Sequence, residues 1–435
     1  MRITFYTPLA LASAIGRVAI GIGEELHKRG HRVSFVRSER DRDTDAPVHP
    51  TQLPVRWWHD VLPHEVAADS DVVLLNIGDN FGFHAGIMSI INEVPCLGIF
   101  HDFYLYSFFR DWAHANGGGG FGLHDAEVAR IYGAPAGDIA RLAGNDWPLA
   151  EIANRFPMTE WLAARCAGAL AHSDFYRERL EAACAGPVAV TGLSYAPRDV
   201  APLPERAGAP ASVLTVGHVN QNKCCAEVVK ALALSENGKS CRYRIAGPIT
   251  PADRAWLETV ASEAGFPGLD ILDAVSDAEL VEELTRADIV CCLRRPVLEG
   301  ASASAIEAMM AGRPVIVADA GFYADLPDDL VFKVPPEVPV EALGATLDRL
   351  IADEALRREV GAKVRDWSRK HFTRENYVDA LEALVDDVIG ARPYLAVSAQ
   401  FARELRSLGI ETADPAVDAL AATLQGLFSP PAPSN

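Results

Sequence analysis

Positive charge is scarce in this sequence: 40 Lys and Arg stand against 59 Asp and Glu, a formal net charge of −19 at pH 7. A nucleic-acid binder draws its affinity from cations that neutralise phosphates, so a chain this acidic is not expected to be one. The same imbalance disfavours broad contact with anionic lipid. A small anionic ligand stays open, because a local cluster of donors outweighs a distant field. Cysteine is sparse and unpatterned. The eight cysteines form no C-x-x-C, and the adjacent pairs Cys224-Cys225 and Cys291-Cys292 have poor geometry for a disulfide. They read as small buried apolar residues in a reducing cytosol. Long apolar runs are lacking too: none reaches the ~18 residues needed to cross a bilayer. Arg2, the apolar stretch after it and Ala12-Ser13-Ala14 imitate a secretory signal with its small-residue cleavage site. The segment reads better as the opening of a fold, which places the protein in the cytoplasm.

What is present is a globular composition, 49% apolar and 23% charged over 435 residues. That length exceeds one ordinary core. Ile3–Tyr6 is a short strand. After Pro8, the residues Ile15, Val18, Ala19, Ile22 and Leu26 fall on one helical face, and Gly30 suits the position just past a helix end. His31–Val36 is the next strand, so the unit is β-α-β and the sheet parallel. Val72–Leu75, Cys96–Phe100, Ala169–Ala171 and Val188–Val190 extend it. Phe108–Ile131 holds the four glycines Gly117–Gly120, which are costly to order; the stretch reads as a mobile loop near an open site or as a disordered surface insertion. Pro197, Pro202, Pro204 and Pro210 mark Ala196–Ala211 as a linker. Strands then resume at Val213–Val216, Tyr243–Ala246, Asp270–Leu272, Ile289–Leu293, Pro314–Val317 and Val331–Val334, with helices between. The expected fold is α/β: two tandem doubly wound, Rossmann-like domains over 1–200 and 201–372. A helical tail over 373–435 follows. Its first part is expected to pack back on the first domain, and its last residues, Ser429–Asn435, to be disordered.

Ligands of such sheets bind at the carboxyl ends of the strands. Unusual residues collect there. Gly217 permits a tight strand exit, and Lys223 stands at the start of the following helix, where a cation beside free N–H groups suits a phosphate. Arg294 and Arg295 follow another strand, Arg294 nearer its end. The segment Glu299–Val317 holds two glutamates around a short helix, Ala303–Ala311, stopped by Gly312. Gly300, Ala301, Ser302, Ala303 and Ser304 are small enough for backbone to approach a ligand. The helix start carries roughly +0.5 charge and free N–H groups. Glu299 precedes the helix and Glu307 lies within it, so they can contact two different parts of one ligand. Ser304-x-x-Glu307 also fits a capping box, and Glu299 also fits a solvated loop carboxylate. In the first domain, Gly16, Asn76 and the pair His101-Asp102 sit near strand ends and face the crevice by position.

With these residues the chain resembles the retaining nucleotide-sugar glycosyltransferases of family 4, which have the GT-B fold. The likeness rests on Gly16 after the first strand, His101-Asp102 after a middle strand, the Gly217…Lys223 segment opening the second domain, and Glu299-x7-Glu307. The resemblance implies roles. Lys223 would bind the donor diphosphate, Glu307 the ribose hydroxyls and Glu299 the hydroxyls of the transferred sugar. Backbone N–H groups at Ser302–Ser304 would meet the phosphate, and His101 would lie beside the sugar ring. His101, Glu299 and Lys223 are thus the catalytic candidates, and Asp102 and Asn76 the acceptor-side ones. His218 stands where the family usually has an Arg after the glycine, a loss of one bidentate diphosphate contact; Arg294 is the candidate replacement.

The expected reaction moves a sugar from a UDP- or GDP-sugar to a glycan, a lipid-linked acceptor or another glycoconjugate, in bacterial surface polysaccharide assembly by analogy. No cofactor or metal is expected beyond the nucleotide-diphosphate sugar, no nucleic acid, and at most peripheral contact with the inner face of a membrane. The alternatives are a non-catalytic carbohydrate-binding or scaffold subunit and a nucleotide-sugar epimerase or phosphorylase of the same fold.

Overall fold

The computed structural model describes residues 1–43, 46–203, 210–410 and 414–428. Two parallel sheets organise the chain. The first runs in the order β3-β2-β1-β4-β5-β6-β7, with β1 at Arg2–Thr7, β2 at Arg32–Arg37, β3 at Val55–Trp57, β4 at Val72–Ile77, β5 at Cys96–Phe100, β6 at Gly168–Ala171 and β7 at Val188–Val190. The second runs β10-β9-β8-β11-β12-β13: β8 is Ser212–Val216, β9 Arg242–Ala246, β10 Leu269–Asp273, β11 Ile289–Cys292, β12 Val315–Ala318 and β13 Phe332–Val334. Both orders are doubly wound, so each sheet has a switch point between its first and fourth strands, where a crevice opens. All six residues of β4 and all four of β11 are buried. Such continuously apolar strands need helices on both faces, which a parallel sheet supplies.

The apolar opening segment is β1 itself, paired with both β2 and β4. Its Ile3 and Phe5 belong to the buried core. Gly16, expected on the loop after β1, lies instead in the first turn of the Ala14–Lys28 helix, where its N–H donates to Ser13 Oγ at 3.1 Å. A Cβ there would lie 2.2 Å from Pro8 O, so the glycine lets the helix start close under the strand exit. Gly30 has φ +92°, the left-handed conformation that ends this helix.

Phe108–Ile131 is not a loop. It falls within two helices, Tyr106–Asn116 and Gly122–Tyr132, with the glycines forming the turn between them. Gly118 and Gly119 have φ of +67° and +81°, so the turn uses conformations that other residues resist. Phe108, Phe109 and Ala113 are buried, which explains why the segment is helical although its sequence looks irregular. Strand β3, three residues long, has no counterpart in the sequence reading.

The tail begins at the Arg374–Ser407 helix. Its Tyr377, Leu381, Leu384, Val385 and Val388 join Ile3, Phe5, Leu26 and Phe35 in one buried cluster of the first unit. Arg29 reaches Asp379 at 2.6 Å and Glu382 at 2.8 Å, and His31 reaches Glu382 at 2.7 Å. The tail therefore crosses from the end of the second unit back to the first. Residues 204–209 of the expected Ala196–Ala211 linker lie outside the described residues, as do Ser429–Asn435. No helix of the described residues is long and apolar enough to cross a membrane.

Candidate active site

Lys223 ends a short turn, Gln221–Lys223, just before the Cys225–Leu234 helix. It is buried, and its ammonium folds back to donate to Val216 O at the end of β8. Gly217 makes this fold-back possible: φ there is +95°, and a Cβ would lie 2.9 Å from Lys223 Nζ. Burial first, and then the Arg294 charge, push the Lys223 amine down to about 7. Arg294 leaves the end of β11 on the other side of the switch point. Its Nε meets Glu299 Oε1 at 2.9 Å and its Nη1 donates to Leu293 O at 2.8 Å. Burial opposes its charge, but Tyr323 and Glu299 more than offset that and hold the guanidinium above its ordinary value. Tyr323 OH donates to the same Glu299 oxygen at 3.0 Å. His218 is exposed beside this cluster, whereas Arg295 points away to Glu227.

The Ala303–Met310 helix starts here. Ser302 is its N-cap, with Oγ accepting from Ala305 N. The backbone N–H groups of Ala303 and Ser304 meet no acceptor among the described residues. The Ser304…Glu307 capping box is therefore not formed. Glu307, six per cent exposed, pairs instead with Arg198 Nε. Burial raises its carboxyl above the usual range, although Arg198 works against the shift. Arg198 also holds Asp277 at 2.9 Å, and Arg17 of the first unit reaches that aspartate at 3.6 Å.

The loop before this helix docks on the first unit. Leu298 O accepts from Phe103 N at 3.0 Å and Tyr104 N at 2.9 Å, and Gly300 N donates to His101 O at 2.8 Å. Ser173 Oγ donates to Gly300 O. A Cβ at Gly300 would lie 2.5 Å from Tyr176 OH. Gly300, expected at the donor, thus uses its backbone to join the two units, and Ala301 behind it is buried.

On the first unit's rim, His101 is seven per cent exposed and both ring nitrogens are engaged. Nε2 lies 2.7 Å from Asn76 Oδ1, and Nδ1 lies 3.2 Å from His172 Nε2. His172 Nδ1 faces Thr191 O at 3.4 Å. Thr191 O can only accept, so His172 carries its proton on Nδ1 and its Nε2 accepts from His101 Nδ1–H. His101 Nε2 is then an acceptor, so a turn of the Asn76 amide that exchanges Oδ1 for the NH2, which otherwise has no partner in its buried position, completes the pair. Burial pushes both imidazoles down, His172 to about 4 and His101 well below its ordinary value. His101 is therefore a neutral, fixed ring and not a free acid or base. Asp102, next to it, is only partly buried. One oxygen accepts from Asp79 N at 2.9 Å, and burial raises the carboxyl to about 7. Asp102 also forms a single antiparallel bridge with Glu299.

Lys223, Arg294, Glu299 and the Ser302–Ser304 helix start are thus gathered at one switch point, with His101 and Asp102 across the crevice. Glu307 lies on the Arg198 side. Gly16 supports the helix above and Asn76 supports His101. Sequence reasoning missed Arg198, Tyr323, Asp79 and His172. Only His172 carried a signal: it follows β6 as His101 follows β5.

The sheet order and the crevice define a fold of two facing Rossmann-like domains, the GT-B arrangement. Residues 204–367 match the family described as glycosyl transferases group 1. Among solved structures, the chain is similar to sucrose-phosphate synthase from Thermosynechococcus elongatus, with 16% identity and a TM-score of 0.60 over 90% of this chain and 100% of that one. It is also similar to HepE of Anabaena in complex with UDP and glucose, with 14% identity and a TM-score of 0.57 over 89% and 99%. A third similar structure is WaaG, a glycosyltransferase involved in lipopolysaccharide biosynthesis, with 14% identity and a TM-score of 0.58 over 87% and 99%. At these identities the likeness is one of fold. Among curated proteins, no match to the chain was found.

Proposed function

We propose that the protein is a retaining glycosyltransferase that takes a sugar from a nucleotide-diphosphate sugar, UDP- or GDP-linked, and passes it to a glycan or lipid-linked acceptor. The observation that carries the reading is the placing of buried Lys223 and partly buried Arg294 together at the β8/β11 switch point, beside the unsatisfied N–H groups of Ala303 and Ser304. Cations and aligned dipoles in a site shielded from water are suited to the charge that grows on a leaving diphosphate. The match of residues 204–367 to glycosyl transferases group 1 supports the same reading. So does the similarity in fold to HepE, solved with UDP and glucose, and to WaaG, a glycosyltransferase involved in lipopolysaccharide biosynthesis.

In this reading the diphosphate lies against Lys223, Arg294 and the helix start. Arg294 supplies the second cation that His218 does not. Glu299, oriented by Arg294 and Tyr323, accepts from hydroxyls of the transferred sugar. Glu307 accepts from the ribose once Arg198 yields. The acceptor comes from the first unit's side, near Asp102. The nucleophile attacks from the face of the departing diphosphate, with an oxocarbenium-like transition state, because no obvious carboxylate nucleophile for a double displacement is placed among the described residues. The neutralising groups named here do that work without a metal ion. The role in surface polysaccharide assembly follows by analogy alone.

The test is release of nucleoside diphosphate from a panel of donors, with and without glycan or lipid-linked acceptors. Turnover that requires an acceptor supports the transferase. Donor binding with no turnover against any acceptor favours the non-catalytic subunit, and conversion of the donor's sugar without net release of nucleoside diphosphate favours the epimerase.

A further inference from the structure

Beside the Glu307–Arg198 pair lies a cavity of about 210 Å³. Arg17 and Gly21 of the Ala14–Lys28 helix form one wall, Tyr195 and Arg198 of the connecting segment a second, and Arg374 at the start of the tail helix a third. Three guanidiniums thus face one small space in a chain whose net charge is −19. Two acids answer them. Glu307 pairs with Arg198, and Asp277 is shared by Arg198 and Arg17. Arg374 is left over: its guanidinium makes no ion pair or hydrogen bond with any described residue.

Arg374 is nevertheless held in place. It is partly buried and packs on Gly21, where a Cβ would lie 2.9 Å from its Nε and 3.0 Å from its Cζ. Glycine weakens a helix interior, so Gly21 gives up helix stability to seat this guanidinium. A cation withdrawn from water with no acid beside it is unfavourable unless something else completes it.

We propose that this cavity binds a small phosphate-bearing molecule, held by Arg374, Arg17 and the remaining donor edge of Arg198. The arginine fork matches phosphate oxygens in pairs. The size limits the occupant. The volume is below the ~300–1,000 Å³ of pockets for drug-sized ligands and equals about seven waters at ~30 Å³ each. Inorganic phosphate or a short phosphomonoester fits; a nucleotide sugar does not. The occupant touches the first helix, the connector and the tail, the three segments that join the two units. Its negative charge also offsets that of Arg198, the partner of Glu307. Occupancy loosens the hold on Glu307, so by linkage this ligand and any ligand that needs Glu307 assist each other's binding. The site stands on its own geometry. Only that last coupling rests on the donor role proposed for Glu307.

The experiment is calorimetric titration of the full chain with inorganic phosphate and, separately, glycerol 3-phosphate. Arg374→Ala is expected to weaken binding at least tenfold, Arg374→Lys less, and Lys223→Ala not at all. Arg17→Ala, on a different element, is expected to weaken it at least threefold and covers the case that Arg374→Ala fails to fold. Saturable binding that survives both arginine changes overturns the site. So does loss of binding in Lys223→Ala with retention in Arg374→Ala, which would put the phosphate at the strand ends. Absence of saturable binding of either probe to the unaltered protein overturns it as well. Failure of donor turnover, with phosphate binding intact, would leave this site standing and remove the proposed activity.

Discussion

At the scale of single residues, Lys223 yields the sharpest expectation. Replacing it with Ala removes a cation proposed to face phosphate, so nucleoside diphosphate affinity is expected to fall by more than tenfold, about 1.4 kcal/mol or more, while nucleoside affinity stays within twofold. Equal loss for both would assign the lysine to folding. Its titration adds a second check. Free in an unfolded chain it titrates near ~10.4, and in the fold it titrates at about 7. Between those values the unfolded chain binds the extra proton. The burial penalty is therefore fully present below pH 7 and is relieved as pH rises toward ~10.4. A bound diphosphate raises the amine again. At pH 8, nucleoside diphosphate binding is expected to take up about one proton, measured by calorimetry in two buffers of different ionisation enthalpy. Lys223→Ala should abolish that uptake. The two glutamates separate in the same spirit. Glu307→Gln is expected to weaken nucleotide binding, and Glu299→Gln to lower turnover at nearly unchanged nucleotide affinity. A Glu307→Gln protein with normal nucleotide affinity would show that the Arg198 pair is purely structural.

At the scale of elements, the loop carrying Leu298, Glu299 and Gly300 does two things: it presents a carboxylate and it joins the two units. Gly300→Ala would force a Cβ to 2.5 Å from Tyr176 OH. The expected result is a drop in turnover with little change in donor affinity, read from steady-state kinetics beside direct nucleotide titration. An unchanged rate would mean that the loop shifts freely and its docking is unimportant. The tail helix is expected to act as a strut. Leu381→Ala removes a fully buried side chain from the cluster shared with β1 and β2, and a loss of about 2–5 kcal/mol is expected by denaturant unfolding. Loss below 1 kcal/mol would show that the tail docks loosely. The glycine turn within Phe108–Ile131 illustrates how far local sequence reaches. Four glycines pointed to a loop, but Phe108, Phe109 and Trp161 pack around the helices on either side. That packing is set by residues some fifty positions away and cannot be read from the glycines.

At the scale of the whole molecule, the crevice is bridged. Beyond the Leu298 and Gly300 contacts, Asp174 N meets Asp325 Oδ2 at 2.7 Å from one unit to the other. For the proposed transfer, access to Lys223 and Glu307 would require the units to part, and water would have to be excluded again before an activated sugar forms. Cysteines placed by Asp174→Cys and Asp325→Cys, joined by a short reducible cross-linker, are expected to block nucleotide binding and to restore it on reduction. The native cysteines are all buried and should not compete. Full binding in the cross-linked form would rule out opening along this edge.

Much of this was determined by the sequence alone. The strand positions, the parallel alternation, the strand-end placement of Lys223, Arg294, His101 and Asp102, and the flanking of a helix start by Glu299 and Glu307 all follow from periods of two and 3.6 and from residues that break them. These are local properties, carried by neighbours in the chain. The tertiary structure decided what those residues touch. It set Arg198 on Glu307, Tyr323 and Arg294 on Glu299, His172 on His101, and Gly300 against Tyr176. It also set Arg374 beside a cavity with no ion-pair partner among the described residues. Each of these pairings joins positions far apart in sequence, or puts a charged group out of water. Burial and distance set its energy, and neither exists until the two sheets have folded and met.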